Sequence, residues 1–223
     1  MDLTKSYDFF QPTKYDDRIH IIGCGSVGST VAEMLARCGI TKFTLWDFDI
    51  VESRNIANQM FRHSDIGKPK VEALKDILVG INPDIENDIK INPEGWNGNR
   101  LSGFIFMCVD SIDLRREIVK FLWSNPYVKA VFDFRTRLTD AQHYAADWTK
   151  IKEKENLLNS MEFTKEEAAE ETPVSACGVE LCVAPTVRTI CSCGVANFMN
   201  FWNKGEIKKM ILADAFGFEV MAF

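Results

Sequence analysis

A glycine-rich turn between a strand and a helix constrains this 223-residue chain more than any other feature of its sequence. Residues 18–23 (RIHIIG) have the continuous apolar character of a buried strand, and residues 26–38 follow with helical spacing and end at Gly39. The turn between them reads GCGSVG over residues 23–28, the pattern GxGxxG. Such glycines let backbone amides approach a phosphate at a helix N-terminus, where the dipole favours an anion. This context favours a nucleotide-binding loop over an incidental glycine turn, without saying which nucleotide binds.

Strands and helices alternate along the first 133 residues. A continuous apolar run at 104–109 is typical of a parallel strand covered on both faces, and residues 70–78 place apolar side chains on one helical face. Further strands are predicted at 41–46, 84–91 and 128–133, and further helices at 52–60 and 114–123. This alternation predicts an α/β fold with a doubly wound, mainly parallel Rossmann-type sheet.

The pattern changes after Asp133. The sequence there predicts a strand at 141–148, a charged and mobile loop with short helices at 150–171, a helix at 183–202 and a hairpin at 210–223 with its turn near Gly217. We expect one domain over residues 1–223. Its nucleotide-binding core spans 18–133, and residues 134–223 add a crossover loop, a C-terminal helix and an antiparallel hairpin.

The composition argues against several classes of protein. A formal net charge of −6 and a pI of about 5.2, without a basic stripe, disfavour a nucleic-acid binder. No apolar run approaches the ~18 residues that a transmembrane helix needs. Residues 1–17 lack the basic region and apolar core of a signal peptide. Seven cysteines, an odd number, favour reduced and mostly buried thiols. We therefore expect a cytoplasmic protein that binds neither nucleic acid nor membrane.

Several polar motifs follow the glycine loop in a fixed order. They are DFDIVE at 47–52, Asn55, Asn58, Gln59, DIGKPKVEA at 65–73, INP at 81–83, and Asp110 at the end of the fourth predicted strand. Taken together, these blocks resemble the ThiF/HesA/MoeB superfamily, the bacterial relatives of ubiquitin-activating enzymes. The resemblance is strong over residues 18–133 and weaker from there to the C-terminus. Their joint occurrence is more specific than the glycine loop alone.

The resemblance implies an adenylyltransferase. Such an enzyme binds ATP and Mg²⁺, activates the C-terminal carboxylate of a small ubiquitin-like or sulfur-carrier protein, and releases pyrophosphate. By position, the resemblance assigns the ribose to Asp47, the phosphates to Lys70 and the Mg²⁺ to Asp110. Further nucleotide contacts are implied for Gly23, Gly25, Ser26, Gly28, Asp49, Asn55, Asn58 and Gln59. Cations suit this chemistry because the attack brings two anions together, and the nucleophile, already a carboxylate, needs no general base.

Each of these residues also has an ordinary structural interpretation. Lys70 can be a solvated helix residue, as most lysines are. Asp110 can simply cap the helix that follows it. His20 lies in the middle of a predicted strand, where a structural histidine is the favoured interpretation. Asp47, Lys70 and Asp110, taken together with the glycine loop, favour the functional interpretation over the structural one.

The chain departs from the family pattern at Asn58, where the family usually has an arginine before the glutamine. Arg54 lies four residues earlier, on the same face if residues 52–60 form a helix. We therefore expect Arg54 to reach the β- or γ-phosphate in place of the missing side chain. The alternative is a surface arginine paired with Glu52 or with solvent.

The cysteines raise two further questions. Many family members carry two CxxC pairs that hold a structural zinc. Here the spacings are Cys177-x4-Cys182 and Cys191-x-Cys193. Side chains two residues apart on a helix point to different faces, so Cys191 and Cys193 are poorly placed to bind one ion. We expect no zinc site. Cys177 falls in the crossover region, where some relatives form a thioester or persulfide, so it is either a nucleophile or an unreactive thiol.

Three functions stay open at this stage. The leading one is ATP- and Mg²⁺-dependent adenylation of a carrier protein. The alternatives are a non-catalytic nucleotide-binding member of the superfamily, which Asn58 favours, and an NAD-dependent oxidoreductase, which leaves Lys70 and Asp110 unexplained. Family resemblance and the apolar helix at 183–202 also predict a homodimer.

Overall fold

A single mixed sheet runs through the part of the chain that the computed structural model describes, residues 1–14, 16–163, 167 and 181–223. Its eight strands are β1 Ile19–Ile22, β2 Phe43–Trp46, β3 Ile89–Asn92, β4 Gly103–Met107, β5 Val128–Thr136, β6 Asp140–Asp147, β7 Met210–Asp214 and β8 Glu219–Ala222. The α-helices described are α1 Ser26–Arg37, α2 Lys70–Ile81, α3 Ile112–Leu122, α4 Ile151–Asn159 and α5 Ala184–Lys204.

The strands lie in the order β3-β2-β1-β4-β5-β6-β7-β8. The pairs from β3 to β5 are parallel, and the pairs from β5 to β8 are antiparallel. The chain leaves β1 towards β2 and β3 on one side and later returns to β4 on the other side, so the strand order reverses between β1 and β4. This is the doubly wound, mainly parallel Rossmann-type sheet predicted from the sequence. In such sheets ligands bind outside the carboxyl ends of the strands at the reversal.

Both faces of the sheet are buried, which explains the unbroken apolar runs in the strands. Ile21 faces a core formed with α1, α2 and α5, whereas Ile22 faces a second core formed with α3 and α4. Helix α1 buries Val27, Val31 and Leu35, whose spacing gives one apolar stripe. Its C-cap residue is Cys38, and Gly39 follows with φ +92°, a backbone conformation that favours glycine.

The structure corrects two sequence predictions of secondary structure. Residues 83–88 form a 3-10 helix rather than the first part of the strand predicted at 84–91, because Pro83 is suited to the first position of a helix, and β3 begins only at Ile89. The segment predicted as a helix at 52–60 is a 3-10 helix over Ser53–Ala57. The charged segment begins with the short helix α4, in agreement with the short helices predicted for 150–171, while residues 164–166 and 168–180 lie outside the described residues.

The C-terminal part follows the prediction more closely. Strands β7 and β8 form the expected antiparallel hairpin around Gly217. Helix α5 packs against α1, β5, β6 and β7, and its apolar side chains lie inside the core, including Phe198 and Trp202. Those side chains are therefore not left over to form a dimer surface. None of the described helices combines the length and the apolar character needed to cross a membrane.

Candidate nucleotide-binding site

The glycine loop connects β1 to α1 at the point where the strand order reverses. Gly23 has φ +91°, and a Cβ added to it would lie 2.7 Å from the carbonyl oxygen of Cys108 at the end of β4. A Cβ on Gly28 would lie 1.8 Å from the carbonyl oxygen of Gly23. These two glycines are therefore required by close packing of the helix and of β4 against the loop.

Helix α1 begins at Ser26, and its N-cap residue, Gly25, supplies no side chain to bond the amides of the first turn. A Cβ on Gly25 would meet only the Nε2 atom of Gln59, at 3.9 Å. The space in front of this helix end is therefore open. Unsatisfied amides and the positive end of the helix dipole make such a position suitable for a phosphate.

Asp47 follows β2 and links the two loops at the carboxyl edge of the sheet. Its Oδ2 accepts a hydrogen bond from the backbone N–H of Cys24 at 2.6 Å, and its Oδ1 accepts one from the N–H of Asp49 at 2.8 Å. Burial raises the pKa of the Asp47 carboxyl, and the two N–H donors oppose that rise. Each carboxylate oxygen keeps a lone pair that can accept a hydroxyl proton.

Lys70 is the first residue of α2, and its side chain is only 8% exposed. Its Nζ lies 2.6 Å from Oδ2 of Asp49, and its backbone N–H donates to the Asp49 carbonyl oxygen at 2.9 Å. The interpretation of Lys70 as a solvated helix residue is therefore wrong. A buried cation is held at the edge of the loop that carries Asp47.

Asp110 is exposed and lies in the turn between β4 and α3. It does not cap α3. The cap is Ser111, whose Oγ accepts a hydrogen bond from the N–H of Leu114 at 3.3 Å. The interpretation of Asp110 as a helix cap is therefore wrong, and its carboxylate faces solvent on the β4 side of the reversal point.

A buried ion pair, which the sequence analysis missed, anchors the turn that carries Asp110. The guanidinium of Arg115 bonds both the carboxylate of Asp133 on β5 and the carbonyl oxygen of Val109. Arg135 occupies the other oxygen of Asp133 at 2.8 Å. Arg115 and Asp133 are 18 residues apart and lie on different elements, so no local sequence pattern indicated this pair.

The 3-10 helix at Ser53–Ala57 brings three predicted side chains to the same edge. Asn55 is half-buried, and its Oδ1 accepts from the N–H of Glu52 at 2.8 Å, which caps the helix. Asn58 ends the helix and is half-buried as well. Gln59 Oε1 is buried without a hydrogen-bond partner. A buried amide oxygen without a partner is unfavourable, and the Nε2 atom of the same amide is the one that lies nearest Gly25, so the Gln59 amide as a whole is a candidate for contact with a polar ligand.

With this geometry in place, the comparisons with known proteins identify the family. The model of the ThiF family matches residues 11–220, nearly the whole chain. The chain belongs to the ThiF family. The match extends well beyond residues 18–133, where the sequence motifs are strongest.

Similar sequences include ubiquitin-like modifier-activating enzyme 5 from two organisms. The protein of Oryza sativa subsp. japonica is 47% identical over 70 residues, which are 31% of this chain and 17% of that protein. The protein of Branchiostoma floridae is 34% identical over 119 residues, which are 46% of this chain and 29% of that protein. This ThiF-family chain thus covers less than a third of the length of these relatives.

Solved structures share the fold. The E. coli protein MccB, crystallised with ATP, superposes with a TM-score of 0.72 at 20% identity, covering 95% of this chain and 65% of that one. The protein PaaA superposes with a TM-score of 0.69 at 19% identity, covering 95% of this chain and 64% of that one. At these identities the likeness shows the fold alone.

Arg54 does not have the position in this ThiF-family chain that the sequence predicted for it. The prediction needed an α-helix, in which residues four apart share a face. In a 3-10 helix residues three apart share a face instead, so Arg54 and Asn58 diverge. The exposed Arg54 Nε lies 2.5 Å from Oε2 of Glu52, as the alternative interpretation expected.

Another arginine lies beside the glycine loop, and the sequence analysis missed it. Arg188 projects from α5, and its Nη1 lies 3.0 Å from Oγ1 of Thr30 on α1 and 3.1 Å from Sδ of Met60. Met60 directly follows Gln59. Because 158 residues separate Arg188 from Thr30, no local sequence pattern could have placed them together.

The cysteines give no metal centre among the described residues, in which no three His, Cys, Asp or Glu side chains are grouped to hold an ion. Cys191 is buried, with its Sγ directed at the Val27 carbonyl oxygen, while Cys193 is partly exposed, so the two face different ways. Cys177 lies outside the described residues, so neither its role as a nucleophile nor its pairing with Cys182 is tested.

His20 has the structural environment predicted for it. It is buried, and its Nδ1 accepts a hydrogen bond from the indole N–H of Trp46 at 3.1 Å. Burial is the main cause that lowers the pKa of His20 to about 4. The imidazole is therefore neutral at pH 7.

Proposed function

We propose that this chain binds ATP and Mg²⁺ and adenylates the C-terminal carboxylate of a small ubiquitin-like or sulfur-carrier protein. The observation that carries the proposal is the convergence of an open helix N-terminus, a buried lysine and three aspartates at one edge of the sheet. The aspartates are Asp47, Asp49 and Asp110, and the lysine is Lys70. Membership of the ThiF family and the names of the similar activating enzymes support it.

The glycine loop and its neighbours suit the nucleotide itself. Asp47 accepts the ribose hydroxyls through the lone pairs that its two backbone donors leave free. The backbone of Gly23, Gly25, Ser26 and Gly28 approaches the phosphates at the start of α1. The Gln59 amide has its Nε2 near Gly25 and its Oε1 buried without a partner, so it can bond the nucleotide or a bound water, together with the polar groups of Asn55 and Asn58.

The charged residues suit the phosphate chain and its metal ion. Lys70 supplies a cation whose place is fixed by Asp49. Asp110 is the exposed carboxylate at the β4 side, and one carboxylate is sufficient because Mg²⁺ takes its remaining ligands from water and phosphate oxygens. When bound, Mg²⁺ neutralises phosphate charge and thereby lowers the repulsion that an attacking carboxylate meets.

The reaction that fits these groups is an exchange at the α-phosphorus of ATP. An oxygen of the carrier's terminal carboxylate forms a bond to that phosphorus. The bond from the α-phosphorus to the bridging oxygen breaks, and its electron pair leaves with pyrophosphate. No proton is transferred, which agrees with His20 and His143 being buried and held neutral at pH 7, with the pKa of each lowered to about 4. If Cys177 is nucleophilic, its thiolate would then displace AMP.

The partner and the assembly are part of the same proposal. The similar proteins are named for activating ubiquitin-like modifiers, which supports a small protein with a free C-terminus as the partner. We also propose a homodimer, although the apolar side chains of α5 are used inside the core. The described surface leaves apolar side chains exposed on the C-terminal hairpin, including Phe218 and Val220.

Pyrophosphate–ATP exchange in the presence of candidate carrier proteins tests the function. Exchange should appear with an intact carrier and disappear when the carrier's C-terminal residue is removed or amidated, because the nucleophile is then missing. A parallel NAD titration serves as the second arm. Tight NAD binding without ATP binding would replace the proposal with the oxidoreductase. ATP binding without pyrophosphate exchange in the presence of any carrier would support the hypothesis of a non-catalytic member of the family. No structural observation favours that hypothesis. Light scattering at micromolar concentration decides whether the chain is a homodimer.

A further inference from the structure

We infer that Arg188 is a phosphate-binding residue of this chain, placed by α5 at the side of the glycine loop. The inference rests on the proposed ATP binding and names a residue of that site which lies far from the motifs in the sequence. It starts from the charge balance. The carboxylates of Asp47, Asp49 and Asp110 face a region that has to accept a polyanion, and the ammonium of Lys70 is shared with Asp49. A cation in addition to Lys70 and to the Mg²⁺ assigned to Asp110 would bring this charge closer to balance.

The position of Arg188 suits such a cation. Its Nη1 lies 3.0 Å from Oγ1 of Thr30, and that oxygen in turn donates to the carbonyl oxygen of Ser26 at 2.8 Å. Two hydrogen-bond lengths thus separate the guanidinium from the first residue of α1. On its other side, Nη1 lies 3.1 Å from Sδ of Met60, next to the orphaned Gln59. The guanidinium therefore lies between the second turn of α1 and the segment that follows the 3-10 helix.

The guanidinium also has donors to spare. Among the described residues its contacts are a hydroxyl oxygen and a sulfur atom, both neutral and both at Nη1, and no carboxylate pairs with it. Nε and Nη2 keep three N–H groups, and the residue as a whole is exposed. A planar fork with unused donors is suited to phosphate oxygens, which it can bind through two parallel bonds.

Arg54 is a poorer candidate for the same role. Its Nε is paired with the carboxylate of Glu52 at 2.5 Å, and the 3-10 geometry turns it away from Asn58. Arg188 therefore supplies the guanidinium on the phosphate side, and Arg54 remains a surface residue. The two residues make opposite predictions, which a common assay can separate.

The test measures nucleotide affinity by calorimetry, with Mg²⁺ held constant, for ATP and for adenosine. We expect Arg188→Ala to weaken ATP binding at least tenfold and to leave adenosine within twofold, because adenosine has no phosphate. Arg188→Lys should restore part of the loss, since a point charge replaces the fork. The control is Arg37→Ala, which removes a charge at the far end of α1, where Arg37 pairs with Glu33. It should keep both affinities.

The other outcomes overturn the inference. If the wild type binds ATP and Arg188→Ala binds it with an affinity within twofold of the wild type, Arg188 does not bind phosphate. The proposed function is then unaffected. An equal loss of ATP and adenosine shows a structural role, as does a large drop in melting temperature. A tenfold loss in Arg54→Ala but not in Arg188→Ala transfers the role to Arg54. A wild-type chain that binds no ATP refutes the proposed function and Arg188 with it.

Discussion

The Nζ atom of Lys70 lies 2.6 Å from Oδ2 of Asp49, and the two side chains differ sharply in exposure, 8% for the lysine and 50% for the aspartate. An ion pair with one half-exposed partner is screened by water and contributes little to stability, about 1 kcal/mol or less. The pair is therefore better explained as a device that holds a cation in place than as a source of stability.

Replacing Lys70 with methionine should separate these two roles. The apolar stem keeps the packing at the start of α2, so the melting temperature should change by only a few degrees. Pyrophosphate exchange should fall on the order of a hundredfold or more, the scale of losing one preorganised charge at a transition state. Lys70→Met with nearly normal exchange would show that Lys70 is only the partner of Asp49.

Gly25 and Gly28 should respond differently to alanine. A Cβ on Gly28 would lie 1.8 Å from a backbone oxygen, so Gly28→Ala must displace α1 and should unfold the chain or lower its melting temperature strongly. Gly25→Ala meets only a side-chain atom at 3.9 Å, so the fold should persist. Its methyl group enters the space before α1, and ATP affinity should fall about tenfold or more. Calorimetry on a folded Gly25→Ala protein that binds ATP normally would place the phosphates elsewhere.

Asp110 and Ser111 are neighbours with separable roles. Ser111 caps α3, so Ser111→Ala should lower stability by about 1 kcal/mol with little effect on exchange. Asp110→Asn should leave stability unchanged and abolish exchange, because the proposed Mg²⁺ ligand is lost. Urea unfolding and exchange assays on both variants give the comparison. If stability falls in Asp110→Asn and exchange is retained, Asp110 has no role in metal binding.

The sequence predicted those parts of the site that depend on local order. The glycine loop and Asp47 each directly follow a strand, so recognising the strand placed them at the carboxyl edge of the sheet. Their mutual hydrogen bond, from Cys24 to Asp47, follows from parallel pairing of β1 and β2. Strand existence was predictable because apolar runs of four to five residues stand out from their surroundings.

Other features depend on distant contacts and could not be predicted. Arg188 reaches α1 only because α5 packs across it, and no periodicity in either helix indicates that neighbour. The helix predicted around Arg54 is wrong for a different reason. In Ser53–Ala57, the side-chain oxygen of Asn55 accepts a hydrogen bond from the backbone N–H of Glu52. This local bond favours a single tight turn over an α-helix. Local hydrogen bonding therefore determined the conformation of this segment. Five residues are too few to show the periodicity of an α-helix.

The buried histidine on β6 should make stability depend on pH. Burial lowers the pKa of His143 to about 4, and its two ring nitrogens lie within 3.0 Å of the Asp133 carbonyl oxygen and 3.2 Å of Asn197 Nδ2. The unfolded chain takes up the proton near pH 6.5, whereas the folded chain does so only near pH 4. Stability should therefore fall as the pH drops through that window, by about 2 kcal/mol from this residue between pH 7 and pH 5.

Urea unfolding at pH 7 and pH 5 measures that loss. His143→Gln should be less stable at pH 7 and lose less stability on acidification than the wild type. The matched control is His63→Gln, the same substitution at an exposed histidine. His20, whose pKa is also about 4, contributes equally to all three proteins and cancels in the comparison. An unchanged loss in His143→Gln would mean that His143 is protonated at its ordinary pH in the folded chain.

The last prediction concerns the ion pair behind Asp110. Arg115 bonds both the Asp133 carboxylate and the Val109 carbonyl oxygen, so it fixes the backbone one residue before Asp110. Arg115→Lys keeps a cation beside Asp133 but, with one shorter donor group, cannot span to Val109 as well. We expect the turn to loosen and Mg²⁺-dependent ATP affinity to fall severalfold, while ATP affinity without Mg²⁺ stays within twofold.

Arg135→Lys is the control for that experiment, because Arg135 bonds the other oxygen of the same aspartate and donates its remaining hydrogen bonds to Ser160 rather than to Val109. Both variants should lose a similar amount of stability, on the order of 1–3 kcal/mol for a weakened charged hydrogen bond. Only Arg115→Lys should lose the effect of Mg²⁺. Equal behaviour of the two variants in the binding assay would show that the pair stabilises the core and does not position Asp110. A loss confined to Arg115→Lys would connect a buried contact between β5 and α3 to the exposed carboxylate that we assign to the metal.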